Sequence, residues 1–307
     1  MVGLTFTGDI FKVNIGKIFA VNVYERGART KSNAKRLIIK FPNNSSRMRI
    51  NQGRIDKIGR DLRKKHLWRF INKLRVFGGE NLKFLEGKRM LYLPNHLSHF
   101  DYILIPYLIN QNALPHPAII AGKNLDHWPA NELISKDTGA IFVDRENIMK
   151  RYLGERERKK LKKDIEEIVS DDRSIMIFLD GGRVYDSSKI MMAPKHGYIK
   201  EYLHELSEQS KDLVKDYAID IAVSYRPQTI EGPFSGAVRF FKKKFFPLYF
   251  GLDLFAFATQ PFRPKPDAYV NFGRPYPLES FIKNQDYRGL VKFATEDVRN
   301  LYKEITD

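Results

Sequence analysis

The chain has 307 residues, 43% of them apolar and 13% aromatic, which is enough for a packed core and excludes a wholly disordered protein. It contains no cysteine, which excludes disulfide scaffolds, thiolate metal sites and cysteine nucleophiles. The formal net charge is +17, and the excess lies in residues 1–80, which carry 19 Lys and Arg against five Asp and Glu. This distribution predicts a polyanionic partner, either nucleic acid or anionic lipid.

The first 80 residues are predicted to form a basic N-terminal region, separate from an α/β domain over residues 81–307. No signal peptide is expected, because charged residues interrupt the apolar ones of residues 1–20. No segment offers the roughly 20 apolar residues of a spanning helix. From Gln52 to Phe77, apolar residues recur at helical spacing among basic ones, which is typical of a basic amphipathic helix or a pair of helices. Such a helix packs on the main domain or docks on a membrane, and the pattern leaves both open.

Beyond Arg89, short apolar runs rich in strand-forming residues alternate with helical stretches. Strands are predicted at residues 90–94, 117–121, 140–143, 174–179 and 219–224. Helices are predicted at residues 100–110, 128–136, 150–169 and 287–305. The alternation predicts an α/β fold with a mostly parallel central sheet flanked by helices. An aromatic stretch at residues 240–257 is predicted to be either a membrane-interface segment or a buried helix.

A His–Asp cluster follows directly on the first strong strand. His96 and Asp101 are five residues apart, so they cannot face each other along one regular helix. If His96 sits in the strand-to-helix turn and Asp101 in the first helical turn, the chain can fold back and bring them together. Asp101 would then hold one imidazole nitrogen, and the other would act as a general base. A purely structural His–Asp pair, or metal binding by His96 and His99, also fits this pattern.

Two arginines follow later strands at the same expected edge of the sheet. Arg145 comes after the run 140–143, and Arg183 comes after the run 174–179 and two glycines. Guanidinium groups bind phosphate in a bidentate manner, and glycine allows close approach of the backbone. The pattern indicates a phosphate pocket beside the base, although a surface ion pair explains each arginine equally well.

Taken together, three blocks resemble those of the glycerolipid acyltransferases, and most closely those of glycerol-3-phosphate and dihydroxyacetone-phosphate acyltransferases. The blocks are Asn95-His96-x4-Asp101, Gly139-x-Ile141-Phe142-x-x-Arg145 and Phe178-x-Asp180-Gly181-x-Arg183. Looser matches are Lys195 with its neighbours, a fourth block at residues 221–226, and Glu231-Gly232. The third block departs from the usual Pro-Glu at Leu179-Asp180, and Tyr185 replaces a second arginine, which leaves the acceptor open.

The resemblance implies an enzyme that moves a fatty acyl group from acyl-CoA or acyl carrier protein to a hydroxyl of a glycerol phosphate or lysophospholipid. His96 would be the base and Asp101 its orienting group. The implied substrate-binding residues are Asn95, Arg145, Asp180, Gly181, Gly182, Arg183 and Lys195. No metal or cofactor is expected.

Other interpretations remain at this level. A lipid hydrolase could use the same His–Asp pair, and a non-enzymatic nucleic-acid-binding protein could use the basic region, although no nucleic-acid-binding motif is present. For the acyltransferase interpretation, the basic region predicts a peripheral protein at the cytoplasmic face of an anionic membrane, with no nucleic-acid partner.

Overall fold

In the part of the chain that the structure describes, nine strands form one sheet. The computed structural model describes residues 22–24, 51–61, 67–126, 138–144, 153–184, 189–192, 194, 197–209, 215–229, 231–232 and 259–307. The strands are β1 (Asn22–Tyr24), β2 (Leu74–Phe77), β3 (Arg89–Pro94), β4 (Ala118–Gly122), β5 (Ala140–Val143), β6 (Ile175–Met176), β7 (Asp216–Arg226), β8 (Asp267–Phe272) and β9 (Tyr276–Pro277). Their order is β1-β2-β8-β7-β3-β6-β4-β5, and β9 pairs with β7.

The pairing is mixed and mostly parallel at the centre. β3 runs parallel to β6 and β7, and β4 runs parallel to β5 and β6. β8 is antiparallel to β7, while β2 is parallel to β8. Every residue of β3, β4 and β5 is buried, as expected for apolar runs in a sheet covered on both faces. The predicted α/β fold with a mostly parallel sheet is therefore confirmed.

Helices cover the sheet. They are α1 (Gln52–Asp61), α2 (Leu67–Phe70), α3 (Asp101–Gln111), α4 (Leu153–Ser170), α5 (Gly197–Gln209), α6 (Glu279–Lys283) and α7 (Tyr287–Thr306). α4 packs on α5, and α7 packs across β7 and β8. Because parallel crossovers are right-handed, α3 lies on the face opposite to these helices. None of the described helices has the length and apolarity needed to cross a membrane.

The predicted bounds of the central elements are close to the observed ones, with one informative difference. β6 covers only Ile175–Met176, although the apolar run continues to Leu179. Beyond β6 the backbone still donates hydrogen bonds to β3, from Ile177 to Tyr92 and from Leu179 to Pro94. The chain there leaves regular pairing to form the loop that carries Asp180. The predicted helix at 128–136 and the aromatic stretch at 240–257 lie outside the described residues.

The stretch from Gln52 to Phe77 is two helices followed by a strand, so the expectation of a helical pattern through residue 77 is wrong at its end. Leu74–Phe77 alternates between buried and partly buried residues and pairs with β8. Leu67, Ile71 and Leu74 belong to the same core as the central strands. In the described residues, the apolar side of this region therefore packs on the main domain.

The strand directions define the edge of the sheet that matters for the site. β3, β6 and β7 end at one edge, called here the carboxyl edge. β8 begins there, because Asp267 pairs with Arg226 at the end of β7. β2 begins there too, because it runs parallel to β8. Residues 67–73 and 259–266, which lead into these two strands, therefore lie at the carboxyl edge.

Candidate active site

The loop between β3 and α3 occupies the position at which α/β sheets carry their functional groups, the carboxyl edge of a central strand. It spans residues 95–100, and α3 begins at Asp101. The carboxylate of Asp101 thus lies in the first helical turn, where the helix dipole favours negative charge.

The chain folds back so that Asp101 reaches His96. Nδ1 of His96 lies 3.1 Å from Oδ2 of Asp101. The same oxygen accepts the backbone N–H groups of Leu97 at 2.7 Å and Ser98 at 2.9 Å. Since the carboxylate can only accept, the proton of the imidazole lies on Nδ1, and Nε2 carries the lone pair. This is the orientation in which a histidine can accept a proton from a substrate hydroxyl.

The second oxygen of Asp101 is held by a residue that the sequence analysis did not assign. The hydroxyl of Tyr225 donates to Oδ1 at 2.6 Å. Burial raises the pKa of Tyr225 well above its ordinary value, and the Asp101 carboxylate raises it further, so this phenol stays a donor. The signal available in the sequence was the fourth block, in which Ser224-Tyr225 follows an apolar strand.

The imidazole of His96 is enclosed by aromatic rings. Its centroid lies 4.3 Å from that of Phe178 and 4.8 Å from that of Tyr102, the latter approaching edge-on. His96 is only 2% exposed, so it is far less accessible than a residue at an open strand end. Low exposure strengthens the electrostatic interaction between the imidazole and Asp101.

The third block is bonded to the backbone of His96. Oδ2 of Asp180 accepts the N–H of His96 at 3.1 Å, and Oδ1 accepts the N–H of Met191 at 2.8 Å. Val184 N–H donates to the carbonyl of His96 at 2.8 Å. Burial raises the pKa of Asp180 to about 6, although both backbone donors oppose the shift. The structure thus places the side chain of Asp180 against backbone amides, where it positions His96.

Gly181 and Gly182 form the turn between Asp180 and Arg183. Gly181 has φ of +64°, a conformation that glycine adopts without strain, and its N–H donates to the carbonyl of Phe178 at 3.0 Å. The turn brings Arg183 back towards the His96 loop.

Arg183 is paired with a glutamate from beyond β7. Nη1 of Arg183 lies 3.3 Å from Oε1 of Glu231, and both side chains are buried. The same oxygen accepts the N–H of His99 at 2.9 Å. One carboxylate therefore joins the guanidinium of the third block to the loop that carries His96. The sequence analysis noted Glu231 only as part of a loose motif.

Asn95 lies inside the fold. Its amide donates to the carbonyl of Val223 at 3.0 Å and accepts the N–H of Val223 at 2.7 Å. The residue is fully buried. These two hydrogen bonds between the Asn95 side chain and the Val223 backbone align the end of β3 with β7. Asn95 therefore helps to position the loop. Two further predicted substrate-binding residues, Arg145 and Lys195, lie outside the described residues.

The chain is similar in sequence to known acyltransferases, and the similar segment contains the His96 loop. A family model described as Acyltransferase matches residues 73–207, which run from the start of β2 into α5 and include His96, Asp101, Asp180 and Arg183. A glycerol-3-phosphate acyltransferase of Shewanella woodyi is 27% identical over 238 residues. The match covers 71% of this chain and 26% of that protein, so the chain spans about a quarter of its relative's length. Both similarities are to acyltransferases, and the segment that the family model matches contains His96, Asp101 and Arg183.

Proposed function

We propose that the protein is an O-acyltransferase that moves a fatty acyl group from an acyl thioester, acyl-CoA or acyl carrier protein, to a hydroxyl of a glycerol-phosphate-type or lysophospholipid acceptor. The observation that carries this proposal is the contact between Nδ1 of His96 and Asp101, which leaves Nε2 as the basic nitrogen at the carboxyl edge.

In the proposed reaction, Nε2 of His96 takes the proton of the acceptor hydroxyl as its oxygen attacks the thioester carbonyl. Asp101 stabilises the imidazolium that forms. The tetrahedral intermediate collapses, the carbon–sulfur bond breaks, and the imidazolium returns its proton to the leaving thiolate. The products are an ester and a free thiol, and no metal or redox cofactor enters the balance.

Arg183 is proposed to bind the phosphate of the acceptor. Its guanidinium is paired with Glu231, and the same oxygen of Glu231 accepts a hydrogen bond from the backbone of His99 in the His96 loop. Arg145 and Lys195 are proposed to complete the phosphate site, with the backbone of Gly181 and Gly182 allowing close approach. A planar guanidinium suits the bidentate recognition of phosphate.

A recess of about 40 Å³ lies between α1 and α3, and Asn110, His116 and Thr138 form a polar part of its lining. It is lined by apolar side chains from both helices, Ile55, Ile58, Ile103, Pro106 and Tyr107. Tyr102 also lines this recess, and its ring contacts that of His96. A recess of this size cannot hold a whole acyl chain, so we propose that it receives only the part of the chain next to the thioester, which would then lie beside the base.

The test is acyl transfer by the purified full chain with labelled acyl-CoA or acyl carrier protein. The acceptor panel contains glycerol 3-phosphate, dihydroxyacetone phosphate, a lysophospholipid and no acceptor. We expect a labelled ester that requires an acceptor. His96→Ala should lower turnover by about 10²–10⁴-fold, since a positioned general base contributes that much. Asp101→Asn should impair it severely. His204→Ala, on α5, is the matched control.

Arg183→Lys keeps the charge opposite Glu231 but loses the planar fork. It should raise the KM for the phosphorylated acceptor more than the KM for the donor. Near-parental turnover in folded His96→Ala would refute the mechanism. Free fatty acid released equally with and without acceptor would show a hydrolase instead.

A further inference from the structure

One large apolar side chain is exposed at the carboxyl edge. Phe262 is 89% exposed and ends the 3₁₀ turn Gln260–Phe262, just before β8. One exposed apolar side chain is ordinary on a protein surface, so the residues around Phe262 decide whether it marks an interaction site.

Three hydrogen bonds join the segment around Phe262 to α2 and to the residues just after it. The side-chain amide of Gln260 donates to the carbonyl of Phe70 at 3.3 Å, and Nζ of Lys265 donates to the carbonyl of Trp68 at 2.8 Å. Asn72 N–H donates to the carbonyl of Pro266 at 2.8 Å. Residues 67–73 and 259–267 therefore form one continuous surface, called here the Phe262 surface.

The charge of the Phe262 surface is positive. It carries four basic residues, Arg69, Lys73, Arg263 and Lys265, against a single acidic one, Asp267. Arg69 is exposed, and the other three are partly buried. Oδ1 of Asp267 already accepts a hydrogen bond from Asn72 at 2.9 Å. An exposed phenyl ring among cations is complementary to the interface of an anionic bilayer, with its acyl chains and phosphates.

The Phe262 surface adjoins the candidate active site. The ring of Phe70 lies 5.4 Å from that of Phe100, which belongs to the His96 loop. The other strongly exposed apolar residue, Met192, follows Met191, whose N–H is bonded to Asp180. Phe293, by contrast, packs edge-on against Tyr276 of β9, which pairs with the start of β7 at the opposite edge.

We infer that the Phe262 surface docks the protein on an anionic lipid bilayer, with the ring of Phe262 in the interface and the basic side chains against the lipid phosphates. The inference rests on the proposed function in one respect: a lipid substrate or product would enter or leave at the edge that faces the bilayer.

The test is vesicle flotation of the full chain without substrate, so its outcome does not depend on acyl transfer. The vesicles contain phosphatidylcholine alone or equal parts phosphatidylcholine and phosphatidylglycerol. Phe262→Ser should weaken binding to the mixed vesicles about tenfold or more, from the loss of a buried phenyl ring. Phe293→Ser removes the same ring at the opposite edge and should bind as the parent does. Arg69→Gln should weaken binding about fivefold.

A spectroscopic arm locates the contact. Trp68 lies on the Phe262 surface, and replacing the other tryptophan, Trp128, by Phe leaves it as the sole tryptophan. Brominated acyl chains in the mixed vesicles should quench its fluorescence, and Phe262→Ser should abolish the quenching. Three outcomes would each overturn the inference. Phe262→Ser could bind the mixed vesicles as the parent does, Phe262→Ser and Phe293→Ser could lose vesicle binding equally, or the fluorescence of Trp68 could remain unquenched.

Discussion

Asp101 organises the candidate site at the level of single residues. It receives Nδ1 of His96 and two backbone amides on one oxygen and the Tyr225 hydroxyl on the other. Each of these donors constrains the carboxylate, and the carboxylate in turn constrains the imidazole. The tautomer and the orientation of His96 therefore depend on this cluster of hydrogen bonds.

Tyr225→Phe removes one donor from this cluster and leaves the ring in place. A hydrogen bond to a charged group contributes about 1.5–3 kcal/mol, so we expect the free energy of unfolding to fall by that amount. Turnover should fall as well, because Asp101 holds His96 less firmly. Urea unfolding and steady-state kinetics measure the two effects.

Tyr92→Phe is the matched control. Tyr92 is fully buried on β3, and within the described part of the chain its hydroxyl makes no hydrogen bond. Its removal should leave turnover unchanged and stability equal or higher. If the two variants behave alike, the bond between Tyr225 and Asp101 has no part in positioning His96.

The raised pKa of Asp180 should make the free energy of unfolding depend on pH. Burial raises its pKa from an ordinary value of about 4 to about 6 in the folded protein, so the native state binds the proton more tightly than the unfolded state. Stability contributed by this group is then greatest below about pH 4 and is lost as pH rises through about 6, by about 3 kcal/mol in all.

Asp180→Asn does not titrate, so the comparison isolates this group. The unfolding free energy of the parent relative to the variant should decline between about pH 4 and pH 7, as followed by urea unfolding at each pH. The variant should also lose turnover at every pH. One of the two backbone N–H groups would then face the side-chain NH₂ group, which cannot accept its hydrogen bond. A free-energy difference that is constant with pH would show that Asp180 titrates at its ordinary value.

At the scale of elements, β3 links a buried ion pair at one end to the candidate site at the other. Arg89 and Asp216 face each other in the β3–β7 register, with Nε to Oδ1 at 2.6 Å and Nη2 to Oδ2 at 2.9 Å. At the far end, Asn95 bonds to Val223 of the same neighbour. The register of β3 on β7 is thus fixed at both ends by polar side chains, and this register brings Tyr225 to Asp101.

Arg89→Ala should lower the free energy of unfolding by about 3–5 kcal/mol, because it leaves the Asp216 carboxylate buried without its cation. The double change Arg89→Met with Asp216→Leu should recover most of this loss. Urea unfolding measures both, and Arg274→Ala at an exposed position is the control, expected within about 0.5 kcal/mol of the parent. A double variant as unstable as Arg89→Ala would contradict this account of the pair.

For the molecule as a whole, the excess positive charge lies in one region and the remainder is nearly neutral. Residues 1–80 hold 19 basic and five acidic side chains, and residues 81–307 hold 34 and 31. Arg69 and Lys73 bring part of this excess to the carboxyl edge, next to the candidate site. Leu67, Ile71 and Leu74 are buried in the core, whereas Lys57, Arg60 and Arg69 are exposed.

Binding of the whole chain to anionic vesicles should therefore weaken steeply as salt is raised. Each basic residue near the surface contributes about 1 kcal/mol, and the Debye length shrinks from about 10 Å at 0.1 M to about 3 Å at 1 M. Flotation across a salt series measures this, and vesicles of phosphatidylcholine alone should bind weakly throughout. Binding that is insensitive to salt would assign the association to apolar contacts only.

The sequence predicted the strands, the helices and the His96–Asp101 contact well, because each of these depends on residues close together in the chain. Apolar runs long enough for buried strands, alternating with amphipathic helices, specify the mostly parallel sheet. The spacing of His96 and Asp101 at a strand-to-helix turn predicted a contact that the structure contains. The helical pattern through Phe77 misled, because Leu74–Phe77 takes its conformation from pairing with β8, almost 200 residues later in the chain.

By itself, the sequence determined the fold class, the turn that carries His96 and Asp101, and the basic N-terminal region, because each depends on residues near one another in the chain. Only the tertiary structure decided that Tyr225 and Glu231 complete the loop, that Asp180 and Asn95 bond to backbone, and that Phe262 is exposed beside α2. These contacts join residues 84 to about 190 positions apart, and strand register sets them. A one-residue shift of β7 against β3 would turn Tyr225 to the other face of the sheet.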